Sequence, residues 1–163
     1  MTLPPRTVCG LPVSSPGGLL PVLAALLVCA CGESSEPPPA IVDVKDLAVE
    51  WNRTDKTWQV DELLMLDSGK NLYQRTCAGC HLSTGAGQLT IGAPALKGSA
   101  VVTGPQDELI RVVVNGRNTM PAFGAAKSKI ELAAILSYVR NAWGNAAGDL
   151  ISVPDMDALA PSP

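Results

Sequence analysis

Cys77-Ala78-Gly79-Cys80-His81 is the stretch whose reading decides the rest of this chain. Its C-x-x-C-H spacing is that of covalent haem attachment. Two thiols so spaced can reach the two vinyl groups of one haem, and the imidazole that follows is held beneath the iron. His81 is the only histidine of the 163 residues, and of five cysteines the other three lie far upstream. Two other chemistries share parts of the motif. A structural zinc site needs four Cys or His ligands, and at most three stand here. A thioredoxin-like thiol pair wants a preceding strand in a βαβ context. The flanking residues instead read as a helix before the motif and a Gly-rich loop after it.

A haem iron of this kind takes a second axial ligand, whose identity tunes the potential. With one histidine, that ligand is not a second His. Met65, Met120 and Met156 are the candidates. Met65 sits in an amphipathic helical stretch and reads as core, and Met156 lies in a Pro-rich tail. Met120 falls in Arg117-Asn118-Thr119-Met120-Pro121-Ala122-Phe123, between two helical segments, with Pro121 stiffening the backbone after it. Met120 is therefore the expected sixth ligand. The alternative is a gap-filling core Met120 and a five-coordinate iron.

The order C-x-x-C-H, Gly/Pro loop, M-P-x-F and C-terminal helix resembles class I, mono-haem cytochrome c over about residues 61–145. The ending Tyr138-Val139-Arg140-Asn141-Ala142-Trp143-Gly144-Asn145 is similar to the cytochrome c domains fused to oxidase subunit II. Cytochrome subunits of periplasmic alcohol dehydrogenases look similar too. The resemblance implies an all-α fold with three or more helices around one covalently bound haem c. It implies that Gly69-x-x-x-Tyr73 on the first helix crosses the last helix near Tyr138. It also implies that the Pro94 carbonyl, in Gly92-Ala93-Pro94-Ala95-Leu96, orients the His81 ring.

Local signals agree with that fold. Residues 61–76 read as a helix with Asp61 as cap and Leu63, Leu66, Leu72 and Tyr73 on its apolar side. Residues 82–104 read as a loop. Residues 105–115 read as a helix with Pro105 in its first turn and Gly116 ending it. Residues 129–143 read as a helix opened by a Ser128/Glu131 capping box.

The N-terminus adds a location. Residues 19–30 are apolar but shorter than the about 20 residues that span a bilayer. With Arg6 before them they fit a secretory signal over 1–30. Val28-Cys29-Ala30-Cys31 resembles a lipoprotein cleavage box, so Cys31 is the expected lipidation site; an ordinary secretory signal is the alternative. Cys31 would then take lipid and Cys77 and Cys80 haem, leaving no thiol for a disulfide. Residues 31–59 read as an acidic, Pro-rich tether, in which Trp51 and Trp58 suggest loose packing on the domain at 60–145. Residues 146–163 read as a flexible tail.

Residues 60–145 hold six acidic and eight basic side chains, whereas the tether and tail are acidic. Arg117, Lys127 and Lys129 flank the Met120 loop and could steer an acidic redox partner. No basic patch with interleaved aromatics points to nucleic acid. The expected function is one-electron transfer, not enzymatic catalysis, on the periplasmic side of a bacterial membrane. An accessory electron relay within an oxidase or dehydrogenase complex is the alternative. A five-coordinate haem enzyme or gas sensor stands third, because no second His supplies a distal acid or base.

Overall fold

The computed structural model describes residues 43–53 and 55–159. The expected signal segment and Cys31 lie outside these residues. The described residues form helices and isolated bridges, with no named strand among them. In chain order the α-helices are α1 (Val44–Trp51), α2 (Val60–Thr76), α3 (Ala78–His81), α4 (Ala100–Thr103), α5 (Gln106–Asn115), α6 (Lys129–Asn141) and α7 (Val153–Leu159). Short 3-10 turns stand at Leu89–Ile91 and Ala142–Gly144. The all-α expectation holds, and a thioredoxin-like βαβ setting is absent from the described residues.

The fold is organised by α2 crossing α6. At the crossing Gly69 has no room for a side chain: a Cβ there would run into the Ala134 carbonyl oxygen and lie 2.9 Å from the Tyr138 Cβ. Glycine lets the two backbones touch, and Leu66, Tyr73, Leu132, Ile135 and Leu136 close around the contact, all essentially inaccessible to solvent. Helix α6 is buried along almost its whole length, from Leu132 to Arg140. Its start is the expected capping box: Ser128 donates its backbone N–H to the Glu131 carboxylate at 2.9 Å, and Glu131 N–H returns to Ser128 Oγ at 3.3 Å. The cap of α2 falls at Gln59 rather than Asp61; the Gln59 N–H donates to the Glu62 carboxylate at 2.7 Å. Pro105 likewise is the N-cap of α5, one residue before its first turn.

Two segments differ from their sequence reading. Residues 43–53 and 55–59 are not loosely held. Helix α1 buries Leu47 and Trp51, and Trp58 is only 4% exposed. Trp58 donates its backbone N–H to Asn52 Oδ1 at 2.9 Å and its indole N–H to the Trp51 carbonyl at 3.1 Å. The two indoles bring enough apolar area to be driven onto the α2–α6 face. The region after Asn145 is not a flexible tail as far as Leu159. Ile151 and Met156 are completely buried, the latter on α7, which packs on α5 and α6. Each such side chain contributes about 1.5–3 kcal/mol on leaving water. A composition rich in Pro and Ala concealed two anchors spaced to reach one core. Met156 is thereby placed in the core.

Candidate haem site

Helix α2 ends at Thr76, and Cys77 serves both as its C-cap and as the N-cap of α3. The single turn of α3 puts Cys77 and Cys80 one turn apart, which brings side chains three residues apart to one side. The His81 N–H bonds back to the Cys77 carbonyl at 2.9 Å. Leu82, at φ 62°, then breaks the helix, and its carbonyl accepts from the Tyr73 hydroxyl at 2.7 Å. The motif is thus locked to α2 on both sides. Gln88 adds a clamp that sequence reasoning missed: its amide donates to the Gly79 and Cys80 carbonyls at 3.0 and 3.1 Å. A lone Gln in a Gly-rich loop carries no signal for that role.

Cys77, Cys80, His81, Pro94 and Met120 all line one cavity of about 620 Å³. That volume is within the roughly 300–1,000 Å³ of ligand pockets. Its other walls are mostly apolar, from Val102, Leu109 and Val113 on one side of the chain and Leu132, Leu136 and Val139 on α6. His81 is buried, and its Nδ1 lies 2.9 Å from the Pro94 carbonyl oxygen. A carbonyl only accepts, so Nδ1 carries the proton in this contact, and the lone pair of the neutral ring is on Nε2. Gly87, at φ 73°, makes the approach possible; a Cβ there would meet the Pro94 carbonyl.

Met120 reaches the cavity on a tight turn. Its N–H donates to the Arg117 carbonyl at 2.9 Å, and Arg117 N–H returns to the Met120 carbonyl at 3.1 Å. Gly116, at φ 75°, leaves space for that carbonyl. Thr119 Oγ1 donates to the Ile91 carbonyl at 3.3 Å and ties the turn to the other loop at the cavity mouth. Of the three candidate methionines only Met120 lines the cavity; Met65 packs against the core and Met156 is within it.

Cys77 and Cys80 are not joined in a disulfide, so both sulfurs are available for attachment. Before haem attachment, burial pushes the Cys77 thiol up to about 11, against the opposing pull of the Lys127 charge. Among the described residues no group of three or more His, Cys, Asp and Glu side chains could hold a metal ion by itself. Tyr73, itself part of the cavity wall, meets Trp143 and Tyr138 with ring centroids 5.1 and 5.3 Å away, and Trp51 closes the group at 5.7 Å from Tyr138. Burial raises the phenol of Tyr73 and pushes that of Tyr138 up to about 12, so both stay neutral. The three cations expected to steer a partner are each paired within the chain: Arg117 with Glu108 at 3.2 Å, Lys127 with Glu131 at 3.5 Å, and Lys129 with Asp157 at 2.5 Å. They form no free basic ring.

Two thiols at the C-x-x-C spacing, an imidazole with Nε2 free, a thioether and an apolar cavity fit a haem and no other common group. Comparison with known proteins agrees. The family model described as cytochrome c oxidase, cbb3-type, subunit III matches residues 65–139. A cytochrome c6 of Leptolyngbya boryana is 33% identical over 75 residues, 44% of this chain and 86% of the relative. The chain belongs to the mono-haem cytochrome c family.

This cytochrome carries one covalently bound haem c. It is also similar to a cbb3-type cytochrome c oxidase subunit CcoP of Azospirillum sp. (strain B510), 34% identical over 83 residues, 47% of this chain and 28% of the relative. The cytochrome c subunit of an alcohol dehydrogenase (quinone) from Gluconacetobacter polyoxogenes is 26% identical over 102 residues, 56% of this chain. The chain spans only 22% of that subunit's length. Both longer relatives are named as subunits of redox complexes.

Proposed function

We propose that this cytochrome is a tethered one-electron relay whose haem would be bonded through Cys77 and Cys80, with His81 Nε2 and Met120 Sδ as the ligands to its iron. The observation that carries this reading is that the only imidazole and a single thioether line the same apolar cavity as both thiols. Haem, when bound, supplies a one-electron iron couple whose potential a thioether ligand raises relative to a second imidazole. The remaining work belongs to the chain. Pro94 fixes the His81 tautomer and ring orientation, as partners of metal-bound histidines do. Val102, Leu109, Leu132 and Leu136 exclude water, which keeps the surroundings from reorganising when charge changes. The Arg117–Met120 turn holds the thioether in place. If His81 and Met120 both held the iron, no position would be left for substrate, which weighs against the five-coordinate enzyme or sensor.

Location follows from the N-terminal sequence. Residues 1–30 act as a lipoprotein-type signal, Cys31 carries the lipid, and the Ser/Pro/acidic stretch after it is the tether that keeps the domain at the periplasmic side of a bacterial membrane. Among the described residues no helix is long and apolar enough to cross a membrane, and tethering raises the effective concentration of the encounter with a membrane-bound partner. Service as an accessory subunit of an oxidase or dehydrogenase is supported by the names of the longer relatives. A Cys77→Ser variant tests the attachment: it should yield little folded holoprotein, and normal haem content surviving denaturing extraction would refute the thioether assignment.

A further inference from the structure

Arg140 begins the part of the chain that follows the family match, and it is a charged side chain only 3% exposed. Its guanidinium is engaged on every side. Nε and Nη2 form a bidentate pair with the Asp149 carboxylate at 2.7 and 2.8 Å. Nη1 donates to the carbonyls of Val102 and Gly104, both at 2.8 Å. Val102 is itself a wall of the haem cavity. The carboxylate of Asp149 also accepts from the Gln106 amide at 2.9 Å, and the Asp149 backbone carbonyl accepts from Asn141 at 2.8 Å. A full positive charge therefore lies one residue behind an apolar cavity wall, and its only carboxylate partner arrives from the segment after the last family helix.

Holding two carbonyls does not require a charge, and a buried charge is costly unless paired. Its electrostatic effect is what a neutral donor would lack. Reduction adds one electron to the iron centre, so a nearby cation favours the reduced state and a nearby anion the oxidised state. Inside the protein that influence is screened far less than at the surface. Arg117, which also lines the cavity, is 48% exposed at its side chain and paired with Glu108, whereas the Arg140 side chain is only 4% exposed and its partner Asp149, at 43%, shields it from the solvent side.

We propose that the Arg140–Asp149 pair sets the reduction potential: Asp149 cancels a guanidinium held behind the Val102 wall and so keeps the potential low. Both are positioning residues that touch neither haem nor partner. The proposal rests on the haem site described above.

The test is equilibrium redox titration of the purified full-chain holoprotein, with absorption spectra recorded in both redox states. Asp149→Asn removes the charge while keeping an acceptor for Arg140; its midpoint potential should rise, with the haem bands unchanged. Asp149→Glu keeps the charge and disturbs the fit; its potential should stay at the wild-type value while its melting temperature falls. Asp157→Asn, on the exposed face of α7, should move neither the bands nor the potential. If Asp149→Asn does not accumulate, Asp149→Ser takes its place in the same comparison. A neutral variant at or below the wild-type potential overturns the proposal, as does an equal rise in Asp149→Glu, which would assign the effect to packing. A wild-type protein without haem bands would instead overturn the site itself, so the two failures are distinguishable.

Discussion

Gly69→Ala strikes the contact on which the cavity depends. The added Cβ would run into the Ala134 carbonyl oxygen and lie 2.7 Å from the Ala134 carbonyl carbon and 2.9 Å from the Tyr138 Cβ. Two of these atoms are backbone, so no rotamer change relieves the clash, and α2 and α6 must separate. Overpacking of this kind costs about 1–3 kcal/mol, and rigid backbone neighbours put this site at the upper end, about 3. Alanine returns about 1 kcal/mol of helix propensity, leaving a net loss of roughly 2 kcal/mol. At about 4 °C per kcal/mol for a domain of this size, the melting temperature should fall by about 8 °C. Separation also moves Tyr73 and Cys77 on one side of the cavity relative to Leu136 and Val139 on the other. Thermal denaturation followed by far-UV circular dichroism and by haem absorption reads both effects. Gly79→Ala is the control: nothing lies within 4 Å of its Cβ position, so its stability should stay within about 0.5 kcal/mol, as for ordinary surface changes, and its melting temperature within about 2 °C. A Gly69→Ala protein as stable as Gly79→Ala would refute the close-crossing argument.

Three further outcomes are expected. Met120→His should keep a six-coordinate spectrum and lower the midpoint potential, because imidazole replaces a thioether; an unchanged potential would show that Met120 is not on the iron. A chain ending at Ser152 loses the burial of Met156 on α7, about 1.5–3 kcal/mol; its melting temperature should drop by roughly 6–12 °C at about 4 °C per kcal/mol, and no drop would mean that α7 does not dock. For Asp149, burial pushes the carboxyl up, but the Arg140 and Gln106 hydrogen bonds and the Arg140 charge outweigh it, so the net shift is downward. A depressed carboxylate stabilises the fold above its unfolded value of about 4 and loses that contribution as pH falls through the folded value. The melting-temperature gap between wild type and Asp149→Asn should therefore be full at neutral pH and close below about pH 4; a gap independent of pH would contradict it.

The sequence made the centre of this molecule legible and its periphery much less so. C-x-x-C-H, Ser128/Glu131 and the M-P-x-F loop are local signals whose chemistry depends on spacing alone, and each stands where the spacing put it. Gly69 and Tyr73 meet α6 near Tyr138, as the family resemblance implied. What was hidden depends on partners distant in the chain. Ile151 and Met156 look like members of a Pro-rich tail until α5 and α6 offer a groove for them. Trp51 and Trp58 announced packing but not where. No spacing marks Arg140, and only the fold shows its donors turned to Val102, Gly104 and Asp149. Lys129 shows the same limit in reverse: its partner Asp157 is supplied by the tail that composition discounted.

The central claim is one covalent haem held by Cys77 and Cys80 between His81 and Met120. Absorption spectra of the purified protein in both redox states, followed by extraction under denaturing conditions, test it in one preparation. One haem per chain that resists extraction is expected, with six-coordinate spectra in both states and the weak thioether–iron(III) charge-transfer band in the oxidised form, lost in Met120→His. Extractable haem, or an oxidised spectrum without that band, would contradict it.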